Sequence, residues 1–327
     1  MLTKHVPSPL LPTLTSTRPS MSITSRPNAA PPRAAHAASQ PHVPSQLGSW
    51  ELVDRIGGGA LSEVYSARPV DGRRDEQPCY ALKVLRDAWQ DDPRGLAMLG
   101  REVLVARDVA HPHLVPILAA ELEDPPYYLM MPRLEGVSLA AVLAGDVLLD
   151  LPMTFWLLRQ TAEATTALAR AGWMHGDIKP SNVIVSPSGH ATLVDLGFAA
   201  RSPQRSSICC RPLLGTINYM APEMLYSSYG GDVQSDVYSL GVMLFEMLAG
   251  RLPFDAQDVA ELALQHRQQL PGDVRTLAPR VPLRAARLVK QMLAKEPLRR
   301  PAPEELVERL IALEIETFAE RCLDEAA

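Results

Sequence analysis

Residues 173–200 read WMHGDIKPSNVIVSPSGHATLVDLGFAA, and the rest of the chain is organised around them. The pattern is a polar loop, a short apolar strand (Val183 to Val185), a turn (Ser186-Pro187-Ser188-Gly189-His190) and a second apolar strand (Ala191 to Val194). Pro, Gly and Ser bend the chain through fixed or permissive dihedrals, so the two strands are expected to fold back as a hairpin. Asn182 begins the first strand and Asp195 follows the second, which brings their side-chain oxygens to the hairpin's open end. Two oxygen donors suit a hard divalent cation. Asp177 and Lys179 lie just upstream, a carboxylate and an ammonium suited to phosphoryl transfer.

Moving toward the N-terminus, Cys79 to Leu85 reads as a buried strand carrying one lysine, Lys83. A buried ammonium needs a partner, because leaving it unpaired in an apolar setting is costly. The following segment, Gly95 to Ala110, reads as a helix with Leu96, Leu99, Val103, Ala106 and Val109 at helical spacing and Glu102 among them. Glu102 is the expected partner. Further upstream, a strand over 50–56 leads into Gly57-Gly58-Gly59-Ala60-Leu61-Ser62, a turn whose backbone can approach phosphates closely where a Cβ would obstruct them. Leu114 to Glu121 and Tyr127 to Met131 read as two more strands, and Pro152 to Gly172 as an amphipathic helix.

Beyond the quoted stretch, Ser235-Asp236 reads as the cap of a helix from Val237 to Ala249 that is apolar nearly all round and therefore buried. Gly250 and Pro253 stop it. At the opposite end, residues 1–47 carry Lys4, Arg18, Arg26 and Arg33 but no acid, and are rich in Pro, Ser, Thr and Ala. Too little apolar surface is present there to offset ordering entropy, so a disordered tail is expected, with composition also resembling an organelle transit peptide.

The bulk properties narrow the class. A formal charge of -5 and a pI near 5.9 argue against a general nucleic-acid binder. Cys79, Cys209, Cys210 and Cys322 show no metal-ligand spacing and suit a reducing, cytoplasmic setting. No run of eighteen or more apolar residues suggests a membrane span. At 327 residues and 46% hydrophobic content, the chain can bury a large core.

Taken together, from Trp50 to Leu313, these motifs resemble a protein kinase of the bacterial, eukaryotic-like serine/threonine type. The resemblance implies an α+β, bilobal fold. A small antiparallel-sheet lobe with one main helix would span about 48–131, a hinge 132–136 and a mainly helical lobe 137–313, followed by a short tail at 314–327. It implies transfer of the ATP γ-phosphate to Ser or Thr hydroxyls of protein substrates, with Mg²⁺, or Mn²⁺ in its place. Asp177 would be the catalytic base and Lys179 would stabilise the transferring phosphoryl; Asn182 and Asp195 would hold the metal. Lys83, paired with Glu102, would grip the α- and β-phosphates under Gly57, Gly58, Gly59 and Ser62.

Adenine would lie between Val64 and Ala81 on one side and Ile184 on the other. Met131 would stand beside it, with backbone contacts from Pro132 and Leu134. Glu223 would pair with Arg300, Asp236 would tie the buried helix to the catalytic loop, and Thr216 would help receive the acceptor hydroxyl. Ser202, Ser206 and Ser207 would be autophosphorylation candidates, and Cys209-Cys210 a redox candidate. A regulatory partner would act through the N-terminal tail. The alternative reading is a pseudokinase serving as a nucleotide-binding scaffold. Four residues depart from the family pattern: Ser62 for a glycine, Leu196 for a phenylalanine, Pro132 for an acid, and Gly176 for the arginine before the catalytic aspartate.

Overall fold

The structure, a computed structural model, describes residues 46–72, 77–145, 149–201, 217–226 and 231–326, with only the backbone for Tyr226 and 320–326. The expectations for the N-terminal tail, Thr216, the three serines and Cys209-Cys210 fall outside these residues.

The N-terminal part is an antiparallel sheet. Its strands are β1 (Gln46–Leu47), β2 (Trp50–Gly58), β3 (Ser62–Pro69) and β4 (Tyr80–Leu85), followed after two helices by β5 (Ala119–Glu121) and β6 (Tyr128–Pro132). They lie in the order β1-β2-β3-β4-β6-β5. Ordered chain thus begins before Trp50, because Leu47 pairs with Trp50 and is itself buried. Two irregularities in the β2–β3 pairing, at Leu52/Asp54 and Arg55/Gly57, bend the ribbon just before the glycine turn. The strand expected from Leu114 is shorter: only Ala119–Glu121 pairs in the sheet, while Leu114 makes a single bridge to Leu193.

The helices inserted after β4 are α1 (Asp87–Gln90) and α2 (Pro93–Asp108). Asp92 caps α2 by accepting from the Arg94 N–H, and Pro93 occupies the first turn, where its missing N–H costs nothing. The buried face of α2 is Gly95, Met98, Leu99, Glu102 and Val105. Of the expected stripe, Leu99 and Val109 are buried, whereas Leu96, Val103 and Ala106 are only partly so. The packed face is rotated by this much, and Glu102 lies in its middle. Leu99 then joins Ala81, Leu85, Val115, Leu129 and Met131 in a core beneath the sheet.

The remainder is mainly helical: β7 (Val137–Ser138), α3 (Leu139–Leu143), α4 (Leu151–Arg170), β8 (Trp173–Met174), β9 (Val183–Val185), β10 (Ala191–Leu193), β11 (Ala200–Arg201), α5 (Pro222–Tyr226), α6 (Val233–Ala249), α7 (Val259–Gln268), α8 (Leu283–Met292) and α9 (Pro303–Ala326). Helix α6 is buried along nearly its whole length and fills the centre of the largest core, against α4, α8 and α9. It starts earlier than expected. Asp232 is its N-cap, in a reciprocal box with Ser235, and Asp236 lies inside the first turn. The tail expected from Glu314 continues α9, which packs on α4 with Arg159 bridging to Glu314 at 2.7 Å.

Gly136 links the sheet to this helical part. At φ +121° a Cβ would sit 2.0 Å from the Val185 carbonyl oxygen, so only glycine lets β7 close onto β9.

Candidate active site

The hairpin in the opening stretch forms as β9 and β10, in the register Val183↔Leu193, Ile184↔Thr192 and Val185↔Ala191. At its open end the Val194 N–H donates to the Asn182 carbonyl at 2.9 Å, which fixes Asp195 beside the loop that carries Asp177. Asp195 holds φ +69°, the one positive value for a non-glycine among the described residues. Such a strained conformation persists only where surrounding contacts determine it, and it clusters at functional sites.

Lys83 projects from β4, in register with Val64 on one neighbour and Leu129 on the other. Its Nζ lies 2.5 Å from Glu102 Oε1 and 2.7 Å from Asp195 Oδ1. One ammonium therefore serves two carboxylates, and with both of them ionised the trio carries one negative charge in excess. Burial works against the charged form of Lys83, but Asp195 and Glu102 outweigh it and hold the ammonium well above lysine's ordinary range. Burial pushes Glu102 up to about 7, with Lys83 opposing and Asp195 adding to the rise. Asp195 resists burial through the Lys83 charge and stays below the usual carboxylate range. Arg101 Nη1 donates to the Gly197 carbonyl at 2.9 Å, anchoring α2 to the turn after Asp195.

The catalytic-loop candidates are held from below. Asp236, buried on α6, accepts from the backbone N–H of His175 at 2.6 Å and of Gly176 at 2.9 Å. The Asp177 N–H donates to His175 Nδ1, leaving Nε2 of that buried ring as the donor to the Val194 carbonyl. Gly176 takes φ +78°, a conformation glycine adopts without strain. Asp177 is 3% exposed. Its Oδ2 accepts from Lys179 Nζ at 2.8 Å and from Asn182 Nδ2 at 3.0 Å, while Oδ1 is buried with no hydrogen-bond partner among the described residues. An unmet buried acceptor costs about 1–3 kcal/mol unless a donor reaches it.

These groups line one cavity of about 130 Å³. Gly59, Ala60, Leu61 and Ser62 roof it, and Lys83, Glu102, Asp177, Lys179 and Asp195 face it. Asn182 does not line it; its amide is turned onto Asp177. Gly57 and Gly58 end β2 at the edge of the same turn. Val64, Ala81 and Met131 sit on adjacent strands, Ala81 directly opposite Met131, and pack in the core beneath the sheet. Ile184 lies on β9, Pro132 ends β6, and Leu134 follows in the connection to β7. Sequence reasoning missed Leu85, Gly95, Met98, Leu99 and Phe198 as cavity-lining residues. The period of α2 was the signal available for Gly95, Met98 and Leu99.

The oxygens of Asp195 and Asn182 fit a hard divalent cation, and the excess negative charge of the trio favours one. No group of three or more His, Cys, Asp or Glu forms a complete cage among the described residues. A cation held by one or two protein oxygens and completed by phosphate oxygens is the usual arrangement for Mg²⁺-type sites.

The protein kinase domain family profile matches residues 50–310. The chain belongs to the protein kinase family. Its β-sheet and helical parts are thus the two lobes of a bilobal α+β kinase fold, and family membership brings ATP and a divalent metal in general terms. Relatives include the serine/threonine-protein kinase PrkC of Bacillus subtilis, 28% identical over 253 residues, covering 77% of this chain and 38% of PrkC. The probable serine/threonine-protein kinase PknB of Lactococcus lactis is 29% identical over 248 residues, covering 76% and 39% of the two chains. Serine/threonine-protein kinase PknE of Mycobacterium bovis is 30% identical over 253 residues, covering 77% and 44%. The chain spans about two fifths of the length of these relatives. No described helix is long and apolar enough to cross a membrane.

Proposed function

We propose that the chain is an active serine/threonine protein kinase that moves the γ-phosphoryl of ATP to Ser or Thr hydroxyls of protein substrates, with Mg²⁺ as the working cation. The observation that carries this reading is the unpaired Asp177 Oδ1, buried beside Lys179 in the cavity that Lys83, Glu102 and Asp195 share. A substrate hydroxyl donating to that oxygen satisfies it, orients the nucleophile and gives its proton a destination.

Lys179, already 2.8 Å from Asp177, balances charge on the moving phosphoryl. Lys83 exchanges part of its contact with Asp195 for the α- and β-phosphates, and Glu102 keeps it aimed. Gly57, Gly58, Gly59 and Ser62 cover the phosphates. Val64, Ala81 and Ile184 enclose the adenine beside Met131, and the Pro132 carbonyl and Leu134 N–H read its edge. Pro132 lacks an N–H but keeps the carbonyl this contact needs. Asn182 and Asp195 hold the cation, which when bound neutralises the β- and γ-phosphate oxygens. The working unit is residues 48–313, in a cytoplasmic setting, with regulation through a partner of the N-terminal tail.

Radiolabelled ATP with casein tests the reading. Wild type is expected to label phosphoserine and phosphothreonine, and Asp177→Ala to stay at background. Equal counts from the two proteins would end it.

A further inference from the structure

We infer that a junction of Asp108, Trp173 and Arg201 fixes α2, and with it Glu102, against the catalytic loop. The inference rests on the kinase reading above.

Three elements that must align meet at this point. Asp108 is the last residue of α2, the helix of Glu102. Trp173 opens β8, which runs directly into His175 and Asp177, and Arg201 ends β11, downstream of Asp195. The two strands pair with Arg201 opposite Trp173. Arg201 Nη2 donates to Asp108 Oδ2 at 2.6 Å, and Trp173 Nε1 donates to the same oxygen at 2.9 Å. The guanidinium carbon lies 4.6 Å from the centre of the Trp173 ring.

Each residue type is explained by this contact and poorly by any other. An aspartate in the last turn of a helix faces the negative end of the helix dipole, where a cation is favoured. Two converging donors offset that disadvantage for Asp108. Trp173 is 6% exposed, so its indole N–H needs a buried acceptor. Arg201 has a planar guanidinium that stacks on the indole and bonds the carboxylate at once, which lysine does less well. The Arg201–Asp108 pair is half-exposed and as an isolated ion pair would contribute little. The shared acceptor and the stacked ring turn it into a three-way contact. With Arg101 on the Gly197 carbonyl and Asp108 on Arg201, α2 is tied at two points to the stretch from Asp195 to Arg201. Asp108, Trp173 and Arg201 are positioning residues; none faces the cavity.

The test combines steady-state kinetics with hydrogen exchange of residues 93–108, on the full chain. Arg201→Ala is expected to lower kcat about tenfold, leave the peptide KM nearly unchanged and speed exchange in α2. Arg201→Lys should recover part of the loss, and Trp173→Phe, which keeps the ring but removes the indole N–H, should fall between. An Arg201→Ala protein with wild-type kcat overturns the inference, as does one with reduced kcat but unchanged α2 exchange. If wild type transfers no phosphate at all, the kinase reading fails, and α2 exchange in Arg201→Ala still decides whether the junction holds the helix.

Discussion

One buried and one partly buried glutamate in this protein face cations, and their surroundings push them in opposite directions. Glu223 meets Arg300 through two bonds, of 2.6 and 2.8 Å. Every neighbouring donor is committed: Arg300 Nε to the Ala294 carbonyl, Nη1 also to the Gln234 carbonyl, and Ser235 Oγ to Glu223 Oε1. Burial opposes the Glu223 charge, but Arg300 prevails and holds it below the ordinary range. Glu102 shares Lys83 with Asp195, and its carboxyl is pushed up to about 7. One cluster is balanced and closed. The other keeps a surplus negative charge and borders a cavity. A closed cluster has nothing left to bind with and serves the scaffold; the open one is arranged for a cationic partner and its phosphates.

The largest effect that could break this distinction is on turnover. Lys83→Met removes the one cation of the open cluster, so phosphate transfer should fall at least about 1,000-fold, equivalent to about 4 kcal/mol of barrier. Scintillation counting of labelled casein reads the rate, and circular dichroism checks that the protein is folded. Normal turnover in this variant would show that the open cluster is structural after all.

Arg300→Ala should act the other way round, on stability. It strands Glu223 in a site where Arg300 is 4% exposed, and removing one partner of a buried pair costs about 3–5 kcal/mol. For a domain of this size that lowers Tm by roughly 10 °C or more. Any loss of activity at a temperature where the variant is folded should be small. A stable variant without activity would mean that the closed cluster also takes part in the chemistry.

How much of this contrast was legible in the sequence depends on the distance over which each part is encoded. The β9–β10 hairpin could be read from its turn residues, and Lys83 demanded a partner that Glu102 was placed to supply; its second partner, Asp195, was not foreseen. The burial of Glu102 was legible even though the α2 stripe is rotated from its expected centre, since a strand lysine and a helix glutamate constrain each other. The Asp232 cap was not legible, because Ser235-Asp236 offers an equally good capping pattern and tertiary contacts decide between them. Asp236 is used instead to hold the N–H groups of His175 and Gly176. The Asp108–Trp173–Arg201 junction was also hidden. It depends on pairing between two strands of two residues each, too short to leave any periodic signal.

Around the closed cluster a pH effect is expected. His266 is fully buried, its Nδ1 3.0 Å from Tyr238 Oη, and Arg300 lies over the Tyr238 ring. Burial, with the Lys295 charge adding to it, lowers His266 to about 4. The unfolded chain therefore takes up a proton near pH 6.5 that the folded chain refuses until about pH 4. Stability is complete above the unfolded value and falls as pH drops through this window, by up to roughly 3 kcal/mol. Thermal melts of wild type and His266→Gln between pH 7 and 4 read the effect. The two curves should converge as pH falls, and parallel curves would remove His266 as the cause.

The smallest effect is the most discriminating, because the comparison fixes its sign. Glu102→Gln removes the surplus charge of the open cluster while keeping a carbonyl oxygen that can accept from Lys83. Lys83 and Asp195 are then balanced, so thermal stability should be unchanged or higher, by on the order of 1 kcal/mol. The same substitution at Glu223 leaves Arg300 as an unbalanced cation in a closed site, so Tm should fall. Transfer should respond in the opposite order, falling with Glu102→Gln, where a neutral amide holds Lys83 less firmly than the carboxylate does, and persisting with Glu223→Gln at temperatures where that variant is folded. If both glutamates respond alike in stability, charge balance is not what separates the two clusters. If Glu102→Gln is destabilising while Glu223→Gln is not, the assignments of scaffold and site are reversed.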